Sequence, residues 1–385
     1  MRRPPGAIAL MAMALGVSLT LVGLDAVGLS RGLHEAERAL VERLDFSRLL
    51  LQGMLSLLLF AGALHVDLGA LKRLHAQVSL LAFAGTAAST VLVGAGVWAL
   101  LQGVGLGVPL LPCMLFGALI SPTDPIAVLG MLKTVRAPRE LAVVIAGESL
   151  FNDGVGIVLF LSLLALLDTQ AHASAGGALA LLVRSTGGGL AYGWLLGRLL
   201  RALLARTAHR AVEILLSLAA VTGGYALADE LGVSGPLAMV MAGLVVGELA
   251  HRRLARFWEI VDEVLNAVLF VLVGLQVAVV RPPGPWGAAS LALAGAVLVV
   301  LAARWLTVGL PVQACASWFR LPRGAGVLLT WGGLRGAISI ALALSLPATA
   351  HRDTFIALTY GVVVFSILVQ GLTFRPLVRR LLQPS

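Results

Sequence analysis

Charge is scarce in this chain. Only 12% of its 385 residues are charged, about half of what a soluble domain of this length carries, so an ordinary water-soluble fold is excluded. Cysteine is nearly absent. Cys113 and Cys315 are the two present, and they make neither a disulfide framework nor a metal-binding spacing. Aromatics are few, at 6%, and no basic cluster is interleaved with them, so no nucleic-acid partner is expected. Histidine is sparse as well: all seven residues fall in loops or at predicted helix ends, which leaves little for acid–base catalysis within the apolar segments.

What is there instead is apolar sequence. Hydrophobic residues make up 59% of the chain, with a mean hydropathy of +0.97. Runs of ~20 apolar residues, each long enough to cross a bilayer, recur along the whole length. The fold class is therefore an all-α polytopic membrane protein whose partner is the lipid bilayer. Punctuation by Gly, Pro and charge predicts twelve helices. They lie near 6–28, 47–66, 77–101, 109–133, 138–166, 176–204, 211–230, 234–250, 256–280, 286–313, 322–348 and 353–381. The first segment shares two arginines and an apolar core with signal peptides. Its apolar run is long and no small-x-small cleavage site follows, so it is read as a helix.

The distribution of positive charge tests this count. Alternation from a cytoplasmic N-terminus puts nineteen of the 28 basic residues in inside segments and six in outside segments. Four of those six share one loop with Glu35, Glu37, Glu42 and Asp45. A missed or extra helix would scramble that asymmetry. Twelve helices with both termini cytoplasmic, in a cell (inner) membrane, are expected. The net charge of +9 is then a topology signal rather than a ligand site.

Three basic residues remain, Arg184, Arg304 and Arg335, all within predicted helices. A charged side chain in the membrane costs at least ~2.5–3.5 kcal/mol on insertion scales and needs a partner. Arg184 lies early in its helix and is expected to snorkel outward. Arg304 and Arg335 are deeper. Among the acids, Asp124, Glu148 and Asp153 are the ones that do not fall in loops or at helix ends. Three buried acids and two buried arginines are candidates for one site.

Two predicted helices carry interruptions. The fourth contains SPTDP, Ser121–Pro125, whose two prolines remove backbone donors and clash with the preceding turn. The eleventh contains WGGLRG, Trp331–Gly336, whose glycines allow unwinding. Loose backbone at membrane depth is tolerable only where it is buried in protein or lines a wet cavity. Each interruption also carries a charge, Asp124 in one and Arg335 in the other. A broken helix exposes a positive N-terminal end and a negative C-terminal end, so an acid suits one and an arginine the other. Interrupted helices at matching places in two halves point to a secondary-transporter site. Helices 3-4-5 and 10-11-12 lie seven apart and so have opposite orientation, as inverted repeats require.

The fifth predicted helix contains GESLFNDG, Gly147–Gly154. At ~100° per residue, Glu148, Asn152, Ser149 and Asp153 fall in that order across about 140°, making one polar face. Leu150, Phe151 and Val155 face elsewhere and can pack. Interhelical glue is usually Ser, Thr or Asn; two acids cost more and imply use. A carboxylate with hydroxyl and amide oxygens nearby is a ligand set for a small hard cation. Out of water such a carboxylate also holds a proton more readily. Proton and cation then compete for one group, and neither is carried without release of the other.

These motifs resemble the monovalent cation/proton antiporters of the sodium/proton exchanger (NhaP-like) type. The resemblance rests on GESLFNDG, on TDP in helix 4, on Ala303, Arg304 and Val308 in helix 10, on WGGLRGA in helix 11 and on LNAVLFVLVGL, Leu265–Leu275. It covers nearly the whole chain. It implies homodimers and a core, helices about 77–166 and 286–381, moving against dimerisation helices about 6–66 and 211–280. It implies exchange of Na⁺ or Li⁺ for H⁺ with no cofactor, with K⁺/H⁺ exchange as the alternative cargo. It makes Asp153 the carrier of cation and proton. Asp124, Thr123, Ser149 and Asn152 would order or line the site, with Asp153, Ser149 and Thr123 as the Na⁺ ligands. Glu148 would pair with Arg304, and Arg335 would balance the crossing of the broken helices. Members with Asn-Asp on helix 5 are expected to exchange one for one.

The sequence departs from the family at three places. The family usually has one more helix before this sequence's first. Ala61 stands where many relatives carry an acid. The chain is expected to lack a cytoplasmic regulatory domain after helix 12. Two other classes compete. GVSG, Gly232–Gly235, matches the GxSG of rhomboid-type intramembrane serine proteases, but no histidine is placed to serve as its base. Ser234 reads more simply as a helix N-cap. A channel is the other, but buried acid–arginine pairing on broken helices suits alternating access better than an open pore.

Overall fold

A computed structural model describes residues 49–135, 137–168, 175–207, 209–248, 252–275, 286–347 and 351–382, together with four isolated positions before residue 49. The first predicted helix therefore lies outside the continuous described segments. Among the described residues the chain is wholly helical. Each predicted helix from the second to the twelfth coincides with a helix or with a helix in two pieces. Among the described residues, five continuous helices are long and apolar enough to cross a membrane: His75–Gly103, Arg139–Leu167, Arg210–Glu230, Ser290–Ala314 and Arg352–Leu382. Leu55–Leu64, Leu110–Ile120 and Gly235–Gly247 are apolar but shorter.

The differences from expectation are local. The ninth helix begins at Arg252, four residues before the predicted start. Arg252, Arg253 and Arg256 resemble loop punctuation in the sequence, but all three belong to the helix. A short helix, Leu68–Arg73, follows the second predicted helix, capped by the Asp67 side chain accepting from the Ala70 N–H. Among the described residues, π-helical turns interrupt longer helices at Leu80–Gly85, Trp305–Gly309 and Ser366–Gln370, and another, Leu49–Met54, leads into Leu55–Leu64. Such turns are rare and cluster at functional sites. Ser234 caps the Gly235–Gly247 helix, its hydroxyl accepting from the Leu237 N–H.

Small residues set the packing. In lipid the tails are as apolar as leucine, so helices gain by close backbone approach rather than by escape from water. Gly189, Gly193 and Gly197 form a stripe along Ala175–Leu204, where an added Cβ at Gly193 would come 2.7 Å from Ala238 Cα and one at Gly197 3.0 Å from Ala242 Cα. On the other side of Gly235–Gly247, Gly243 and Gly247 lie against the Phe60 and Leu64 carbonyls, each 2.6 Å from an added Cβ. That helix is thus clasped between Ala175–Leu204 and Leu55–Leu64. A second group packs His75–Gly103 on Leu110–Ile120 and on Trp286–Arg304. The fourth helix, whose first half belongs to this second group, crosses the broken eleventh helix beside Arg139–Asp168.

Candidate functional site at the crossing of two broken helices

The fourth helix stops at Ile120 and resumes at Ile126; the eleventh stops at Trp331 and resumes at Ala337. The prolines and glycines act here as their chemistry dictates. Pro122 and Pro125 cannot donate, and the Gly332–Gly336 stretch gives up helical hydrogen bonds. The freed groups find each other instead. The Asp124 N–H donates to the Leu334 carbonyl at 2.8 Å. Arg335 Nη1 donates to the Ser121 carbonyl and, at 3.1 Å, to that of Pro122. Those carbonyls close the C-terminal, negative end of Leu110–Ile120, where a cation is favoured. Asp124 lies against Gly336, whose added Cβ would meet the aspartate Cβ at 2.9 Å. Gly336 caps the positive, N-terminal end of Ala337–Leu344.

The Arg139–Asp168 helix brings its polar face to this crossing. Glu148 is 1% exposed, Asn152 0% and Asp153 7%. Arg304 grips Glu148 with both arms of its guanidinium, Nη1 to Oε1 at 2.7 Å and Nη2 to Oε2 at 2.8 Å. This bidentate geometry is the strong form of a charge-assisted pair. Asn152 joins the pair to the fourth-helix break. Its Nδ2 donates to Glu148 Oε1 and to Thr123 Oγ1, both at 2.7 Å, while its Oδ1 accepts from the Thr123 N–H at 3.2 Å. Asn152 is thereby occupied by protein partners on both atoms. The Thr123 and Ser149 hydroxyls lie 3.0 Å apart. Asp153 follows Asn152, and its charged neighbours are Asp124, Glu148 and Arg335.

The structure thus brings Thr123, Asp124, Glu148, Ser149, Asn152, Asp153, Arg304 and Arg335 into one cluster, all of them buried except Asp124, which is half-buried. Arg184 is apart from it and exposed. Oxygens of Asp153, Ser149 and Thr123 are the groups suited to a small hard cation.

Several participants were not singled out from sequence. Ser366 Oγ accepts from the Arg335 N–H at 2.8 Å, and Gln370 Nε2 donates to the Trp331 carbonyl at 3.1 Å. Both belong to the π turn Ser366–Gln370, so that turn holds both sides of the eleventh-helix break. A pair of polar residues four apart in an apolar run was the available signal; it is the same signal that marked Glu148 and Asn152. Gly333 is the other. An added Cβ there would lie 2.5 Å from Arg304 Nε and 3.1 Å from its Cζ. Gly333→Ala should therefore displace the guanidinium and cost about 1–3 kcal/mol, as overpacking does. Thermal unfolding in detergent checks this; an unchanged midpoint would show that the guanidinium shifts freely.

Comparison with known proteins agrees with this geometry. The model of the transmembrane sodium/hydrogen exchanger family matches residues 5–380. The chain is 44% identical to the Na⁺/H⁺ antiporter NhaP of Pseudomonas aeruginosa, over 98% of its own length and 92% of that protein's. It is 33% identical to the Na⁺/H⁺ antiporter NhaH of Halobacillus dabanensis, with the same coverage. The solved structure of the sodium proton antiporter MjNhaP1 from Methanocaldococcus jannaschii at pH 8 superposes with a TM-score of 0.73. That match covers 98% of this chain and 99% of that one at 20% identity, a likeness of fold. Family match, fold and the crossing of two charged, broken helices converge: this chain belongs to the transmembrane sodium/hydrogen exchanger family.

Proposed function

We propose that this protein exchanges Na⁺ or Li⁺ for H⁺ across a cell membrane by alternating access, with both ions taking turns on Asp153. The observation that carries this reading is the division of labour among the buried acids. Glu148 is held by both arms of Arg304, whereas Asp153 accepts a backbone hydrogen bond from Thr123 at the helix crossing, one helical turn from Ser149. A carboxylate in that position can be neutralised by a proton or by a cation with Ser149 and Thr123 as further ligands. Relatives that are named Na⁺/H⁺ antiporters and match this chain over nearly its whole length support the cargo.

In this reading the helices about 77–166 and 286–381 form the moving core. The helices about 6–66 and 211–280 form the scaffold, which meets its counterpart in a homodimer. Both termini lie in the cytoplasm. Arg335 and Asp124 compensate the half-helix ends, so the crossing stays buried as the core moves. Proteoliposome transport with Na⁺, Li⁺ and K⁺ in turn, at several pH values, tests the assignment. Proton flux driven by Na⁺ and Li⁺ but not K⁺ is expected; flux driven by K⁺ alone would reassign the cargo.

Exchange should be electroneutral. With Asn152 beside Asp153 in place of a second acid, one carboxylate switches between proton and cation, and the carrier crosses with the same net charge both ways. A membrane potential is worth about 2.3 kcal/mol per charge per 100 mV, so a net-charge step would be easy to see. Clamping liposomes at different potentials with K⁺ and valinomycin should leave the Na⁺/H⁺ equilibrium point unchanged. A voltage-dependent equilibrium point would mean that a second acid, Asp124 or Glu148, titrates in the cycle.

A further inference from the structure

A small cavity lies against Arg304, the cationic partner of the ion pair, and Glu148 is not among its lining residues. Val297, Val300, Leu301, Val362 and Phe365 supply its apolar wall. Its polar lining is Arg304, Arg335, Thr330 and Gln370, with Gly333 between the two arginines. The interior admits about one water-sized molecule, near the lower limit for a hydration site.

Two donors remain to be accounted for there. Arg304 spends Nη1 and Nη2 on Glu148 and, at 3.4 Å, on the Leu329 carbonyl. Arg335 spends Nη1 on the Ser121 and Pro122 carbonyls. The Nε–H of each arginine finds no protein acceptor among the described residues. These side chains are 6% and 2% exposed. A buried, unmatched donor on a charged group is among the costlier defects a fold can carry, and here the two arginines that carry them both line one cavity.

We propose that this cavity is a binding site for a single water molecule that accepts a hydrogen bond from each guanidinium Nε–H. A water accepts two bonds and donates two. The remaining hydroxyl and amide oxygens of the lining, Thr330 Oγ1 and Gln370 Oε1, are chemically suited to receive its protons. Thr330 Oγ1 gives its own proton to the Gly326 carbonyl at 2.8 Å, and Gln370 gives an amide proton to Trp331, so on both residues the oxygen lone pairs are what is left.

Charge decides between water and the obvious rival, a small anion. Two arginines attract an anion, but Glu148 already balances Arg304, and Asp124 and Asp153 are the other acids of the cluster. With Asp153 neutralised by its cargo, the two arginines and the two other acids sum to zero. An added anion would leave a net buried negative charge, which is costly in low dielectric; a neutral acceptor avoids it. The bound water would tie the Glu148–Arg304 pair to the Arg335 crossing, so that both move as one body. The proposal is independent of which cation is carried.

The test is a high-resolution map of the unmodified protein, combined with Val300→Ile, which pushes one extra methyl into the cavity. A peak is expected within hydrogen-bonding distance of both Nε atoms, about 2.7–3.2 Å, unchanged when chloride is replaced by bromide. Absence of the peak overturns the proposal, and so does an anomalous bromide signal at its position. Filling a dry apolar cavity raises stability, whereas expelling a bridging water strands two donors. The melting temperature of Val300→Ile should therefore fall by about 2–4 °C, equally in chloride and in gluconate. A rise would show the cavity to be dry, and a fall seen only in chloride would show an anion. Because overpacking alone can also lower the midpoint, the map is read first.

Discussion

Asp153→Asn should fold, insert and lose exchange. The substitution keeps the shape and the hydrogen-bonding outline of the side chain and removes the charge that proton and cation share. Asp153 sits at the end of a chain of contacts that does not depend on it: Arg304 to Glu148, Glu148 to Asn152, and Asn152 to Thr123. That chain should survive, so the melting temperature should stay near that of the unmodified protein while Na⁺-driven proton flux falls to the level of liposomes without protein. Flux in reconstituted vesicles and unfolding in detergent measure the two separately. Robust flux from this variant would remove Asp153 from the carrier role and turn attention to Asp124.

The second large effect is expected at the ion pair, and its sign is opposite: stability goes before transport. Glu148→Ala leaves the Arg304 guanidinium buried without its carboxylate, and Arg304→Ala leaves Glu148 in the same position. Breaking a buried pair by removing one partner typically costs about 3–5 kcal/mol, far more than the pair contributes relative to an apolar replacement. Asn152 would lose one of its partners in Glu148→Ala, and through it the hold on Thr123 would weaken. Both single variants should therefore unfold at clearly lower temperature. The charge-swapped double variant should recover part of the loss, incompletely, because glutamate cannot reproduce the forked contact from the Arg304 position. Single variants as stable as the unmodified protein would mean that the pair carries little of the energy of the core.

Together the two variants separate the roles of neighbouring acids on one helix face. Glu148 and Asp153 are five residues apart and both nearly inaccessible. One is committed to a guanidinium, and the other takes a backbone hydrogen bond from Thr123 at the helix break. An acid that is permanently paired can organise a site but cannot exchange its charge; an acid without such a partner can.

Much of this was legible in the linear sequence because lipid imposes simple rules. Every spanning segment must satisfy its own backbone and present apolar side chains, so apolar runs of sufficient length mark the helices. A buried charge is expensive enough that each one is informative. That is why Asp124, Glu148, Asp153, Arg304 and Arg335 stood out against a background of leucine, valine and alanine, and why SPTDP and WGGLRG could be read as breaks. The helical period alone placed Glu148, Ser149, Asn152 and Asp153 on one face.

Partnerships were decided by the tertiary structure. Periodicity says which residues share a face but not which distant segment meets that face. That Arg335 reaches the Ser121 and Pro122 carbonyls, across more than two hundred residues of chain, follows from how two broken helices cross. That crossing depends on packing which no local pattern encodes. The π turns were invisible for a related reason: widening a helix by one residue leaves no mark on hydropathy. Ser366 and Gln370 matter because such a turn aims both at the break in a neighbouring helix. Gly333 read only as a helix breaker in the sequence; the fold shows that its missing side chain is also the space into which Arg304 fits.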